Sequence, residues 1–427
     1  MKKLIFLVLS LIVAASVLVA CGSSEEDKAE ATETLNALGP SVRTEGPKTE
    51  AETPAATKPE AEPVKREDYD YFFDFKAPDG NPRDIVYDYM YAMSQVKWTA
   101  AESWTTTWKG EADFGVNLSY EKGKTYYGVP YARTNATLDE FLLFLPENKQ
   151  FTPTPSPYYE EIVGNHCSSS MVMSFQQIIP LTYSGSLKPV TTRTEYLMFP
   201  EPLEVPPSRN PNNPDDWISS TVFSHNGQEA VYEAYTKLEK GDILYKSIDG
   251  SGHTRMVSKV EISRSAAGKL MPARSFVYCL EQTNAWADSK KESTWFIDRK
   301  YTFSQLYDTF FMPVTLKIYH EENPVIEDAY IAMKGKNTPE TLKKMLNGTI
   351  ESNFPLAYAR LTITDKDGKI VGEHLEYYLT KSFKINLRNF TYKLGLDNLE
   401  PGEYTFNCRA GIARGGVDIE TVKFTID

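Results

Sequence analysis

The chain has 427 residues, with 46 basic and 58 acidic side chains and a formal net charge of -12. That balance excludes a nucleic-acid partner, which needs a long basic stripe that this sequence lacks. The length holds two domains, and 26 tyrosines predict sizeable, strand-rich cores and surfaces able to stack on sugars or peptides.

Lys2 and Lys3 precede an apolar run from Leu4 to Val19 interrupted only by Ser10 and Ser16. This is the pattern of a secretory signal. Leu18-Val19-Ala20-Cys21-Gly22 resembles a bacterial lipobox, where the signal is cleaved just before a lipid-bearing cysteine. The resemblance implies that residues 1–21 are signal and lipobox and that Cys21 is the lipidation site. It also implies an extracytoplasmic protein, lipid-anchored to the bacterial membrane without spanning it. Cys167, Cys279 and Cys408 then remain. Three cysteines permit at most one disulfide, which excludes a disulfide scaffold. Residues 22–68 are rich in Ala, Glu, Thr, Pro and Lys and nearly free of large apolar side chains. They are expected to form a disordered acidic linker.

The folded region is expected to open at Tyr69. Ile85, Tyr89, Met93 and Val96 predict a helix over 83–96. Tyr127-Gly128-Val129-Pro130-Tyr131 and a Pro-rich loop over 152–157 follow. Gly164-Asn165-His166-Cys167-Ser168-Ser169-Ser170-Met171 then reads as a loop entering a helix, with Asn165 suited to the cap. Met171, Phe175, Ile178 and Ile179 continue the helical spacing until Pro180. Cys167 falls in the first turn, where the positive end of the helix dipole favours thiolate. Residues 185–224 carry many prolines and read as an excursion, and Gln228 to Leu238 as a short helix. Lys240-Gly241-Asp242-Ile243-Leu244-Tyr245 reads as a turn into a strand. Asp249-Gly250-Ser251-Gly252 is a hairpin turn, His253 to Val260 the returning strand, and Ser275 to Asn284 a further one. A histidine thus begins one strand and Glu281 lies at the end of its expected neighbour. From Pro313 the pattern is strand after strand, broken by a short helix over 339–346, as in an antiparallel β-sandwich. No metal site is expected, because His166 and Cys167 have no further ligands at suitable spacing. No cofactor motif is present.

His166-Cys167-Ser168-Ser169, Gly241-Asp242 with Gly252-His253, and Glu281-Gln282-Thr283-Asn284 occur in an order that resembles the NlpC/P60 and CHAP cell-wall amidases and peptidases. Tyr127-Gly128-Val129-Pro130-Tyr131 resembles the Gly-x-Pro-Tyr segment of NlpC/P60 proteins. The likeness covers about Tyr120 to Trp286. It departs from the families in His-Cys-Ser-Ser, where Asp-Cys-Ser-Gly is usual, and in the stretched Cys-to-His separation. It implies an α+β protein: a papain-like domain of helix plus antiparallel sheet over 69–312, then an Ig-like β-sandwich over 313–427. It implies a membrane-anchored cysteine hydrolase acting on amide bonds of peptidoglycan peptides.

In those roles Cys167 is the nucleophile and His253 its acid–base partner. Glu281 or Gln282 orients the imidazole. Strand alternation lets only one of them face His253, and Glu281 is assigned. Tyr127, Tyr131, His166, Asn284 and Trp286 are expected to line the substrate cleft, with His166 diverging from Cys167 because adjacent turn residues point apart. The competing reading is a non-catalytic wall-binding or interaction lipoprotein with a degenerate papain-like domain.

Overall fold

The protein is described by a computed structural model over residues 64–109, 117–182, 187–189, 195–213, 216–248, 251–377 and 382–427. The signal and lipobox with Cys21, most of the 22–68 linker, parts of the 185–224 excursion and the Asp249-Gly250 turn lie outside the described residues. The described chain is mixed α+β, with more strand than helix and several antiparallel sheets.

The first long helix, Pro82–Gln95, begins where the sequence provides both a cap and a start. The Asn81 side chain accepts the Arg83 N–H at 2.9 Å, and Pro82 occupies the first turn, where its missing N–H costs nothing. Its buried face is Val86, Met90 and Met93, with Ile85 and Tyr89 packed at the margin. Against it lies the cysteine helix, Cys167–Phe175, which also packs on the strand that carries His253. That strand, Ser251–Glu261, belongs to a six-stranded sheet whose order is Trp295–Thr302, Phe276–Gln282, Ser251–Glu261, Ile243–Ile248, Met312–Leu316, Leu197–Met198, with every neighbouring pair antiparallel.

An aromatic cluster closes one flank of this first core. Trp98 stacks on Tyr126 at 5.0 Å and on Trp104 at 5.8 Å, and its indole N–H donates to the Gly128 carbonyl at 2.9 Å. The rings bury large apolar area while the indole keeps a partner for its one polar atom.

A second core lies between two four-stranded antiparallel sheets, one of Tyr71–Phe75, Ala329–Lys334, Thr349–Ser352 and Lys384–Asn386, the other of Ile370–Glu376, Leu356–Asp365, Gly402–Ile412 and Gly415–Ile426. The two cores do not divide at residue 312. Tyr71–Phe75, expected to open the first domain, pairs with Ala329–Lys334, with Tyr71 opposite Met333 and Phe75 opposite Ala329. Its alternate rings Tyr71, Phe73 and Phe75 face the second core. Conversely Met312–Leu316 runs across the expected boundary and pairs with Ile243–Ile248. All five of its residues are buried, as befits a strand covered on both faces.

Polar contacts at Asp139 and at Gln177 tie the cores together. Asp139 accepts from the Tyr358 hydroxyl at 2.5 Å and pairs with Arg409 at 3.3 Å. Just past the cysteine helix, the Gln177 side chain donates to the Ala413 carbonyl at 2.8 Å, and Arg414 donates to the Gln177 carbonyl at 2.9 Å. The second core thereby braces the far end of the helix that presents Cys167. One carboxyl stands apart. Glu140 is fully enclosed with neither side-chain oxygen hydrogen-bonded, and burial pushes it up to about 8.

Candidate active site

The loop before Cys167 is held by the Gly128 to Ala132 segment. Asn165 donates its N–H to the Pro130 carbonyl at 3.1 Å, and Ala132 donates to the Asn165 carbonyl at 2.8 Å. This approach needs glycines. A Cβ on Gly164 would lie 2.4 Å from the Pro130 oxygen, and one on Gly128, whose φ is +84°, would lie 2.2 Å from the Trp295 ring. Gly128 and Pro130 therefore set the loop that carries the cysteine, a role their sequence pattern alone did not reveal.

His166, not Asn165, is the residue at the helix cap. Its N–H donates to Ser169 Oγ at 2.8 Å. Asn165 is drawn inward, where its amide donates to the Ala136 carbonyl at 3.3 Å. The helix stops at Phe175, short of Ile178 and Ile179, but both are buried through a following turn.

Cys167 is half-buried, whereas Cys279 and Cys408 are fully buried, and all three are free thiols. Burial would raise the Cys167 thiol. The His253 charge and side-chain hydrogen bonds with His166 and His253 outweigh that and hold it well below the ordinary range. The His166 ring itself has Nδ1 3.2 Å from Ser168 Oγ. Burial pushes Cys279 up in spite of the Arg255 and Arg299 charges, and burial with the Glu420 and Asp418 charges pushes Cys408 up.

His253 Nε2 lies 2.5 Å from Glu281 Oε2, which leaves Nδ1 as the ring nitrogen for the thiol. Burial would lower His253. The Cys167 thiolate and Glu281 more than offset this, and the imidazole is raised. Burial would likewise raise Glu281. The Arg255 guanidinium, then His253 and Arg299, hold it well below the usual carboxylate range. Arg255 Nε donates to Glu281 Oε2 at 2.9 Å, Arg299 stands 3.6 Å from Oε1, and the Tyr301 hydroxyl donates to Oε1. Arg255 is itself 2 % exposed and sandwiched between the Tyr301 and Phe311 rings at 3.7 and 3.8 Å. Its charge is buried, but it is paired and stacked, which is the condition for tolerating it there.

Alternation separates Glu281 from Gln282. Gln282 turns the other way and donates to the Val129 carbonyl at 2.8 Å, which also accepts the Trp295 indole at 2.9 Å. Cys167, His166, His253 and Glu281 come together. The other expected residues scatter. Tyr131 stacks on Tyr159 at 5.5 Å, and Asn284 is buried. Trp286 packs into the aromatic cluster against Tyr120 and Tyr126 at 5.2 and 5.8 Å. Tyr127 is exposed and lines a cleft of about 420 Å³ with Trp295, Phe296 and Arg299, a cleft not lined by Cys167, His253 or Glu281.

Arg255 was within reach of the sequence: it lies two residues beyond His253 on one strand, so both side chains share a face. Tyr301 and Arg299 come from Trp295–Thr302, a strand that carries Asp298, Arg299 and Lys300 and so lacks an apolar alternation to announce it. Among the described residues no group of three or more His, Cys, Asp and Glu side chains is placed to hold a metal ion. No described helix is long and apolar enough to cross a membrane.

Comparison with known proteins gives no match: no family model, no curated protein and no solved structure matches this chain.

Proposed function

We propose that the chain is a cysteine hydrolase with a papain-like arrangement of helix and sheet, cleaving amide bonds of peptidoglycan peptides. One observation carries the chemistry: the helix that starts at the half-buried Cys167 packs on the strand carrying His253, and His253 Nε2 is bonded to a buried, ionised Glu281. Cys167 Sγ attacks the amide carbonyl carbon, and the S–C bond forms as the carbonyl oxygen takes the negative charge. The Cys167 N–H at the helix start is placed to receive that charge. Collapse breaks the C–N bond, and the His253 proton goes to the leaving nitrogen. Water then attacks the thioester and yields a proton to His253. Expulsion of the thiolate leaves a carboxylic acid and restores the pair. The wall-peptide substrate rests on the likeness of the Gly128 to Tyr131, Cys167, His253 and Glu281 segments to the NlpC/P60 and CHAP families. The paired four-stranded sheets support the reading of the C-terminal part as a β-sandwich.

Iodoacetamide labelling across pH with peptide mapping tests the site. Cys167 should alkylate with a midpoint below the roughly 8.5 of a free cysteine. The thiolate–imidazolium pair stabilises the charged form, so His253→Ala should move that midpoint upward by about one unit or more. If Cys167 titrates as an ordinary thiol and His253→Ala changes nothing, the chain is a binding protein and not an enzyme.

The same reading holds the protein at the outer face of a bacterial membrane through Cys21. Intact-mass measurement on the membrane-extracted protein should show cleavage before Cys21 and added acyl mass. An unmodified N-terminus at another residue would rule the anchor out.

A further inference from the structure

We infer that Lys246 is the specificity-determining residue of this site and that it receives a carboxylate carried by the substrate beside the scissile amide. The inference rests on Cys167 as the nucleophile and deepens that reading by naming the chemistry next to the reacting bond.

Position comes first. Across the hairpin, Lys246 is paired directly with His253 in an antiparallel register. Directly opposed residues share a sheet face, with Cβ atoms about 4.5–5.5 Å apart. Both side chains gather on one ring: His253 meets Phe311 edge-on with centroids 6.1 Å apart, and Lys246 Nζ lies 5.7 Å from the Phe311 centroid.

Pairing comes second. Lys246 is 5 % exposed, yet among the described residues no carboxylate bonds to it. Buried lysines are ordinarily paired, because an isolated ammonium in a low-dielectric site is costly. Among the described residues, three cations stand about the His253–Glu281 pair: Arg255 and Arg299 at Glu281, and Lys246 across the hairpin from His253. Arg255 and Arg299 are both directed at Glu281, at 2.9 and 3.6 Å. Lys246 is the cation left over. A site of positive excess in a chain of net charge -12 runs against the average field of the protein. Burial and the Arg255 charge both work against the Lys246 ammonium, and an arriving anion relieves both.

The test compares an anionic and a neutral alkylating agent of nearly the same size on the full chain. Second-order rates of Cys167 with iodoacetate and iodoacetamide should give a ratio about fivefold or more above that of glutathione. Lys246→Met should lower the iodoacetate rate by about threefold or more and leave the iodoacetamide rate within about twofold, and Lys246→Arg should keep the wild-type ratio. A matched wall-peptide pair, one with a free carboxylate next to the cleaved bond and one with the carboxamide, should differ about tenfold in kcat/KM for the wild type and not for Lys246→Met. A ratio unchanged in Lys246→Met, or equal loss of both rates, overturns the inference. Hydrolysis of neither peptide alongside a Lys246-dependent iodoacetate preference would overturn the hydrolase reading and leave the anion site standing.

Discussion

Glu281→Ala is expected to lower the unfolding free energy by about 3–5 kcal/mol, the cost typical of breaking one partner out of a buried ion pair. Glu281 is the acceptor on which His253, Arg255 and Tyr301 converge, and it is wholly buried. Its removal leaves Arg255 enclosed between Tyr301 and Phe311 with an uncompensated charge. A Glu281→Leu, Arg255→Met double variant should recover most of that loss while remaining inactive, since no group then orients His253. Urea denaturation of the singles and the double measures this. A single-variant cost below about 1 kcal/mol would mean that water or another acid satisfies Arg255. The pH dependence has a fixed sign. The folded carboxyl is held below its unfolded value, so its stabilisation is complete above about pH 4.3 and is lost as pH falls toward the folded value. The stability gap between wild type and Glu281→Gln should therefore narrow in acid.

The largest effect on activity is expected from Cys167→Ala, which should lower amide hydrolysis of purified peptidoglycan by about 10⁴-fold or more. Only one atom is lost, from a half-buried position at a helix start, so unfolding free energy should stay within about 1 kcal/mol of wild type. Cys167→Ser should be nearly as inactive, since the same histidine cannot hold a hydroxyl ionised as it holds a thiol. His253→Ala should match these losses without summing with them, because the pair acts as one unit. Release of free amines is the readout. Retention of more than about one hundredth of the activity by Cys167→Ala would place the chemistry elsewhere.

What the sequence disclosed follows from local physics. The cysteine helix was legible from its spacing, and the hairpin from Asp249-Gly250. The register was not: the strand already begins at Ser251, inside the turn expected over 249–252, so Ile248 faces Ser251 and Lys246 faces His253. Alternation separated Glu281 from Gln282. What stayed hidden depends on long-range pairing. Tyr71–Phe75 carries the signature of a strand but nothing that names a partner some 255 residues away. Trp286 has the composition of a cleft residue, and only the packing of Tyr120 and Tyr126 shows it to be a core one. Asn165 is a good cap by residue type, yet the Gly164–Pro130 approach turns it inward and gives the cap position to His166.

The Tyr71–Phe75 pairing also sets an order of events during synthesis. This strand leaves the ribosome before the first core, but its partner Ala329–Lys334 follows only after that core has been made. At about 5–20 residues per second, the three aromatic side chains of Tyr71, Phe73 and Phe75 wait on the order of tens of seconds for their sheet. The second core cannot close until the strand from the beginning of the fold is brought back to it. Nearly all of the first core, with its cysteine helix, is therefore translated while the Ala413 and Arg414 brace at Gln177 is still to come.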